Sequence, residues 1–209
     1  MASGKSPPGW SPSFENTLTK HMNRVQICLR EAWRWSQLDH PNITPLLGLA
    51  NLREVARNAP FQLCTVAPWA THGNIMEYIH SAALSLPEMF ILLRDIAAGL
   101  VYLHSVEPTP FVHGGLNGNN VLVFRDRSQS QGRIRACLVD FGLSGMWNED
   151  ESTVDVTAMA LRGNPRWLAW ERVEPAKYGI PNASLSITVH SDVFEMMRTF
   201  FQASIVSTL

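Results

Sequence analysis

Lysine is scarce in this chain: Lys5, Lys20 and Lys177 are the only three in 209 residues. Chemistry that needs a fixed ammonium group therefore has few candidates. Charge of either sign is nearly balanced, at a net −1. No broad attraction to nucleic acid or to an anionic membrane surface is expected, and neither is expected as a partner. Cysteine is equally sparse. Cys28, Cys64 and Cys137 are far apart and odd in number, which gives neither metal-ligand spacing nor a disulfide framework. Such thiols fit a reducing compartment, where they serve as small core residues. No apolar run is long enough to span a bilayer, and Met1 to Phe14 lacks the apolar stretch of a signal peptide. Cytoplasm or nucleus is the expected location. Repeats, heptads and low-complexity tracts are also missing. What is present, 45% apolar and 17% charged residues, is ordinary for a chain that builds a core, and the length predicts one domain.

Residues 1–15, with prolines at 7, 8 and 12, read as a disordered leader. From about Asn16 the pattern turns helical, and Val25, Cys28, Ala32 and Trp35 form one apolar stripe beside Glu31. His40-Pro41-Asn42 ends that helix, because the residue before a proline avoids helical geometry. The runs Ile43 to Ala50 and Phe61 to Ala67 read as antiparallel strands around a polar turn at Arg53 to Asn58. Pro68 to Asn74 reads as a connector. Ser85 with Glu88 is a capping-box pattern, and Pro87 falls in the first turn, where a missing N–H costs little. The helix that follows is expected to bury Phe90, Leu93, Ala97, Leu100 and His104. Val121 to Phe124 and Ile134 to Val139 predict a hairpin across the polar loop Arg125 to Gly132. Residues 143–182 look irregular. A last helix from Ser191 is expected to share Val193, Met197 and Phe200 on one face.

Within this order lies an ordered set of motifs. Glu31 is followed nine residues later by His40-Pro41-Asn42. Leu63 to Trp69 reads as a strand entering a hinge, with Ala67 just before Pro68. Asp95 to His104 is the end of the long helix. Then come His113-Gly114-Gly115-Leu116-Asn117-Gly118-Asn119-Asn120 and, twenty residues on, Asp140-Phe141-Gly142. Gly163 to Glu171 and Ser191-Asp192-Val193-Phe194 complete the set. Together they resemble a protein kinase from its αC helix onward, in the style of the tyrosine-kinase-like group of mushroom-forming fungi. The resemblance spans about residues 20–195 and is strongest over 25–195. It implies an α+β fold: a partial N-lobe, with the αC helix and two strands, and a mostly helical, truncated C-lobe within a kinase-like domain over 16–209.

The resemblance implies ATP and magnesium as cofactors. Asn120 and Asp140 match the metal ligands, and hard oxygen donors suit magnesium. Glu31, Trp69, Ala70 and Gly142 match positions around the nucleotide. His113 would pack against Phe141, and Asp192 would tie the catalytic loop to the last helix. The departures fall at the chemical centre. Gly115 stands where the family places the aspartate that accepts the substrate hydroxyl proton. Gly114 replaces an arginine and Asn117 a lysine that touches the transferred phosphate. Before Glu31 there is neither a Gly-x-Gly-x-x-Gly loop nor a Val-Ala-Ile-Lys strand, which argues against nucleotide binding. Lys20 lies eleven residues before Glu31 in a segment without β pattern, so it belongs to the helix or its approach. Asp126 is nearby in sequence but sits in the hairpin loop, and is not expected to reach back as a substitute base. General-base assistance alone is worth about 10²–10⁴ in rate.

Three readings follow. The first is a pseudokinase-like binding or regulatory module with no intact catalytic residue, His113 being structural. The second is an ATP-dependent Ser/Thr kinase family member represented by an incomplete sequence. The third is a non-functional fragment. Missing strands would leave a sheet edge open to a protein partner. An apolar tail with Phe200, Phe201, Ile205 and Val206 would offer another contact. Ser152, Thr153 and Thr157 are candidate phosphorylation sites, with simple solvation the plainer role.

Overall fold

The computed structural model describes residues 25–56, 62–82, 84–125, 132–140, 166–181 and 183–206. Helix α1 covers 25–35 and buries Ala32 and Trp35, as the stripe predicts. The Trp35 indole donates to the Thr44 carbonyl at 2.5 Å, which pins the turn after the helix. Strand β1 (Gly48–Asn51) and strand β2 (Leu63–Val66) pair antiparallel, Gly48 opposite Val66. The predicted first strand is shorter than expected: of its early residues, Ile43 makes one parallel bridge, to Leu138. The expected polar turn begins instead with helix α2 (Leu52–Val55), capped by the Asn51 side chain. Helix α3 (Ile75–Ser81) was not expected. Asn74 caps it, and Glu77 answers with a bond to the Asn74 N–H at 3.0 Å.

Helix α4 (Leu86–His104) starts at the predicted capping box. Its buried face is turned from the expected one, with which it shares Leu93 and Leu100. Phe90 is 66% exposed, whereas Met89, Leu92, Leu93, Ile96, Leu100 and Leu103 are buried. The helix lies on the antiparallel hairpin β3 (Val121–Arg125) and β4 (Ile134–Leu138), with Val121 opposite Leu138. That contact is close. A Cβ on Gly99 would fall 2.8 Å from the Asn42 carbonyl oxygen, so only glycine lets the 42–44 turn pass over α4. The turn is stitched to β4 by the Leu138 N–H to Asn42 and the Thr44 N–H to Leu138, both at 2.9 Å. Asp95 is also on this face, at 2% exposure, and accepts from Arg133 at 3.1 Å and the Ala136 N–H at 3.3 Å. A buried charge survives there because it is paired.

Helix α5 (Trp170–Val173) and two 3₁₀ turns, Pro175–Tyr178 and Ala183–Ser186, give way to helix α6 (Val189–Val206). Of the expected apolar stripe of α6, Val193 and Met197 face outward, at 46% and 55% exposure. Its inner face is mostly polar, with Ser191, Asp192, Glu195 and Thr199 buried beside the apolar Ala203. Phe200 packs partly against the core, Phe201 is 66% exposed, and the side chains of Ile205 and Val206 lie outside the described residues. So do the leader, Lys20, Phe61, Asp126, Phe141, Gly142, Ser152, Thr153, Thr157 and Gly163 to Pro165. Among the described residues no helix is long and apolar enough to cross a membrane.

Candidate functional site

The site is a loop, 111–120, held between α4, β3 and α6. Phe111 N–H bonds the Leu103 carbonyl at 2.9 Å and fixes where the loop leaves α4. From α6, the wholly buried Asp192 carboxylate accepts the N–H groups of His113 at 2.7 Å and Gly114 at 2.8 Å. It also meets His104 Nε2 at 2.9 Å. These charge-assisted bonds define the loop's backbone path. One turn later on α6, Glu195 accepts the Leu116 N–H at 3.2 Å and the Arg172 guanidinium at 2.5 Å. The inner face of α6 is polar for this reason: its side chains replace the hydrogen bonds that a buried irregular loop cannot make to itself.

Gly114 has φ 74°, in the left-handed region that favours glycine. Next to it, the Gly115 carbonyl collects two side-chain amides, Asn117 Nδ2 at 3.0 Å and Asn120 Nδ2 at 2.8 Å. Asn117 is used twice, because its Oδ1 accepts the Asn119 N–H at 2.9 Å and caps the 3₁₀ turn Gly118–Asn120. Folded back in this way, Asn117 braces the loop. His113 is fully buried, and burial lowers its pKa, keeping the imidazole neutral.

Asn120 and Asp140 are brought to the same end of the hairpin, since the Val139 N–H bonds the Asn120 carbonyl at 3.1 Å. With its amide nitrogen on Gly115, Asn120 keeps Oδ1 as a hard oxygen. Asp140 is exposed at φ 63°, just beyond β4. Two oxygens of this kind fit magnesium, which takes few protein ligands and draws the rest from phosphates and water. They do not form a stand-alone metal cage: among the described residues there is no group of three or more His, Cys, Asp or Glu able to hold an ion.

Glu31 on α1 is half-buried. Burial first, and the negative charge of Asp140 second, push its pKa up to about 6. It lines a cleft of about 320 Å³ between α1, with Ile27 and Cys28, and β2, with Leu63, Cys64 and Thr65. Beyond β2, the Trp69 indole is 87% exposed while Ala70 is buried. The connector around them rests on β3 through the Val123 N–H to Gly73 bond at 3.0 Å. Of the residues singled out from sequence, the fold gathers His113, Gly115, Asn120 and Asp140 around one loop. Glu31 approaches Asp140 from the other side, and Trp69 and Ala70 lie on a separate segment. The sequence reading missed Arg172 and Glu195. The available signal was Glu195 three residues after Asp192, on the same side of a helix.

The comparisons with known proteins show the family. The family described as protein tyrosine and serine/threonine kinase matches residues 16–197, and the chain belongs to it. A probable serine/threonine-protein kinase, pats1, of Dictyostelium discoideum is 32% identical over 163 residues, 77% of this chain and 4% of its own length. Serine/threonine-protein kinase CTR1 of Arabidopsis thaliana is 30% identical over 75% of this chain and 17% of its own. Tyrosine-protein kinase receptor TYRO3 of Xenopus laevis is 27% identical over 85% of this chain and 18% of its own. The chain thus spans less than a fifth of the length of these relatives.

Proposed function

We propose that this kinase-family chain is catalytically silent, a pseudokinase-like member of the tyrosine-kinase-like branch that works as a binding or regulatory module in cytoplasm or nucleus. The observation that carries this reading is at Gly115. At the position of the family's proton acceptor there is no carboxylate, and the Gly115 carbonyl is occupied by the amides of Asn117 and Asn120. Asn117 also stands where a lysine would meet the transferred phosphate, and its amide is spent on bracing the loop. Phosphoryl transfer depends on positioning and charge around the phosphates, so losing base and cation together removes factors that multiply.

ATP with magnesium is the ligand to test. Asn120 Oδ1 and Asp140 would hold the metal, which when bound would neutralise phosphate charge. Glu31 would face the same space with its carboxylate rather than an ammonium group. The partner in this reading is a protein. The outer face of α6, with Val193, Met197 and Phe201 exposed, and the edges of the β1–β2 pair are the surfaces that would receive it.

A second reading keeps its place on the intact Asn120 and Asp140 pair: an ATP-dependent protein kinase of which this sequence is a part. A thermal melt with and without Mg-ATP, beside Asp140→Ala, separates the two. A cooperative melt indifferent to nucleotide supports the silent module. A melt raised by Mg-ATP and not in Asp140→Ala favours the second reading.

A further inference from the structure

Helix α4 is apolar on both sides. Its inner face builds the core, and its outer face, which neither reading uses, is nearly as apolar. A helix that is apolar all round is normally covered all round. Here Phe90, Ile91 and Val101 are exposed, Val101 at 68%, with Ala97 and Ala98 half-buried between them. Of the acidic residues of α4, Asp95 is buried and Glu88 is folded onto Ser85 at the N-cap. Arg94 is the one charge on the outer face.

That face has the relief to receive a second helix. Pro87, Phe90, Ile91 and Arg94 stand at i, i+3, i+4 and i+7, the four corners of a hole for one side chain of a facing helix. Arg94, Ala97, Ala98 and Val101 repeat the arrangement one step further along and share Arg94 with the first hole. Alanine at two corners leaves the second hole roomy enough for a leucine.

Charge narrows the occupant. Asp95 Oδ1 accepts from Arg94 at 3.0 Å and from Arg133, just before β4, at 3.1 Å. Two guanidiniums thus share one carboxylate, and among the described residues neither has another ion pair. One positive charge is in excess beside the holes, on two side chains that both reach solvent. A carboxylate from the facing helix would balance it. A second copy of this chain fits less well, because a symmetric α4–α4 pairing over both holes brings the two Arg94 side chains together.

We propose that the outer face of α4 is a docking surface for an amphipathic helix of a partner protein, with apolar side chains in the two holes and a Glu or Asp between them that meets Arg94 and Arg133. The surface owes nothing to loop 111–120, so it serves whether or not the chain transfers phosphate.

The test is a fluorescence anisotropy titration of the full chain against a labelled designed helix about 18 residues long, enough to hold a helix alone. Leucines fill the two holes and one glutamate lies between them. A second peptide carries lysine in place of that glutamate. The glutamate peptide should bind, and the lysine peptide should bind about tenfold more weakly or worse. Val101→Asp, at an exposed position, should keep the wild-type thermal melt and weaken the glutamate peptide by about tenfold or more. Phe201→Asp, on α6, should leave binding unchanged. The proposal is overturned by no binding, by equal affinities of the two peptides, by binding that survives Val101→Asp, or by binding lost in Phe201→Asp. A wild-type dimer in analytical ultracentrifugation that Val101→Asp breaks also overturns it, since a second copy then covers the face. Phe90→Asp, at the other hole, replaces Val101→Asp if that variant does not fold.

Discussion

Asn117 donates its side-chain amide to the carbonyl of Gly115 at 3.0 Å, and this bond closes the loop on itself where a kinase of this family would place its reacting groups. Two losses are therefore coupled. Restoring the acceptor alone should not restore chemistry, because the cation that would meet the phosphate is still an amide bound to backbone. Gly115→Asp should leave phosphate incorporation from labelled Mg-ATP at the level of Asp140→Ala. Incorporation at least a hundredfold above that control would show that the missing base was the sole defect.

Asp192 is the anchor of the loop. Asp192→Ala leaves two buried backbone N–H groups without their acceptor, and each costs about 1–3 kcal/mol. A loss of several kcal/mol is a large share of a domain's stability of roughly 5–15 kcal/mol. Urea titration of the variant should show a greatly lowered midpoint or no cooperative transition. A midpoint within error of the wild type would mean that the loop is held by something else.

The two faces of α4 give a plainer test. Ile96 is fully buried, and Ile96→Ala should cost about 2–5 kcal/mol. Phe90, though larger, is 66% exposed, and Phe90→Ala should stay within about 0.5 kcal/mol. Equal effects in thermal melts would contradict the packing.

That contrast also marks what could be read from the chain alone. The existence of α4 was legible from its capping box and length, and the β3–β4 hairpin from two β-rich runs around a polar loop. The rotation of α4 was not, because the rows through Phe90 and through Met89 are both apolar and only the partner surface chooses between them. Helix α3 had the same kind of cap signal as α4's Ser85 and Glu88, in Asn74 and Glu77, but its seven residues, just past the connector, were too few to show a helical period. In α6 the apolar row was legible but not the side that it faces. The apolar row through Val193 and Met197 faces outward, whereas the inward row carries Asp192 and Glu195 because it supports an irregular loop. The role of Asp192 was legible through the resemblance. The Arg172–Glu195 pair was not, because it joins residues 23 apart that no local pattern connects.

His113 gives a pH dependence of its own. Burial lowers its pKa below the ordinary 6.5, so the unfolded chain takes up a proton that the folded chain refuses. Its contribution to stability is present above about 6.5 and lost as pH falls. Relative to His113→Phe, the wild type should lose stability between pH 7.5 and 5.5 in urea titrations. Parallel profiles for the two proteins would show that the folded imidazole takes up its proton as readily as the unfolded one.

The most direct test of the central claim is phosphoryl transfer by the purified chain, with labelled Mg-ATP, a generic protein substrate and Asp140→Ala as background. The account predicts incorporation indistinguishable from that background, into the substrate and into the chain itself. Incorporation that exceeds it, and that Asp140→Ala abolishes, would contradict the account and make this loop a working active site without its carboxylate.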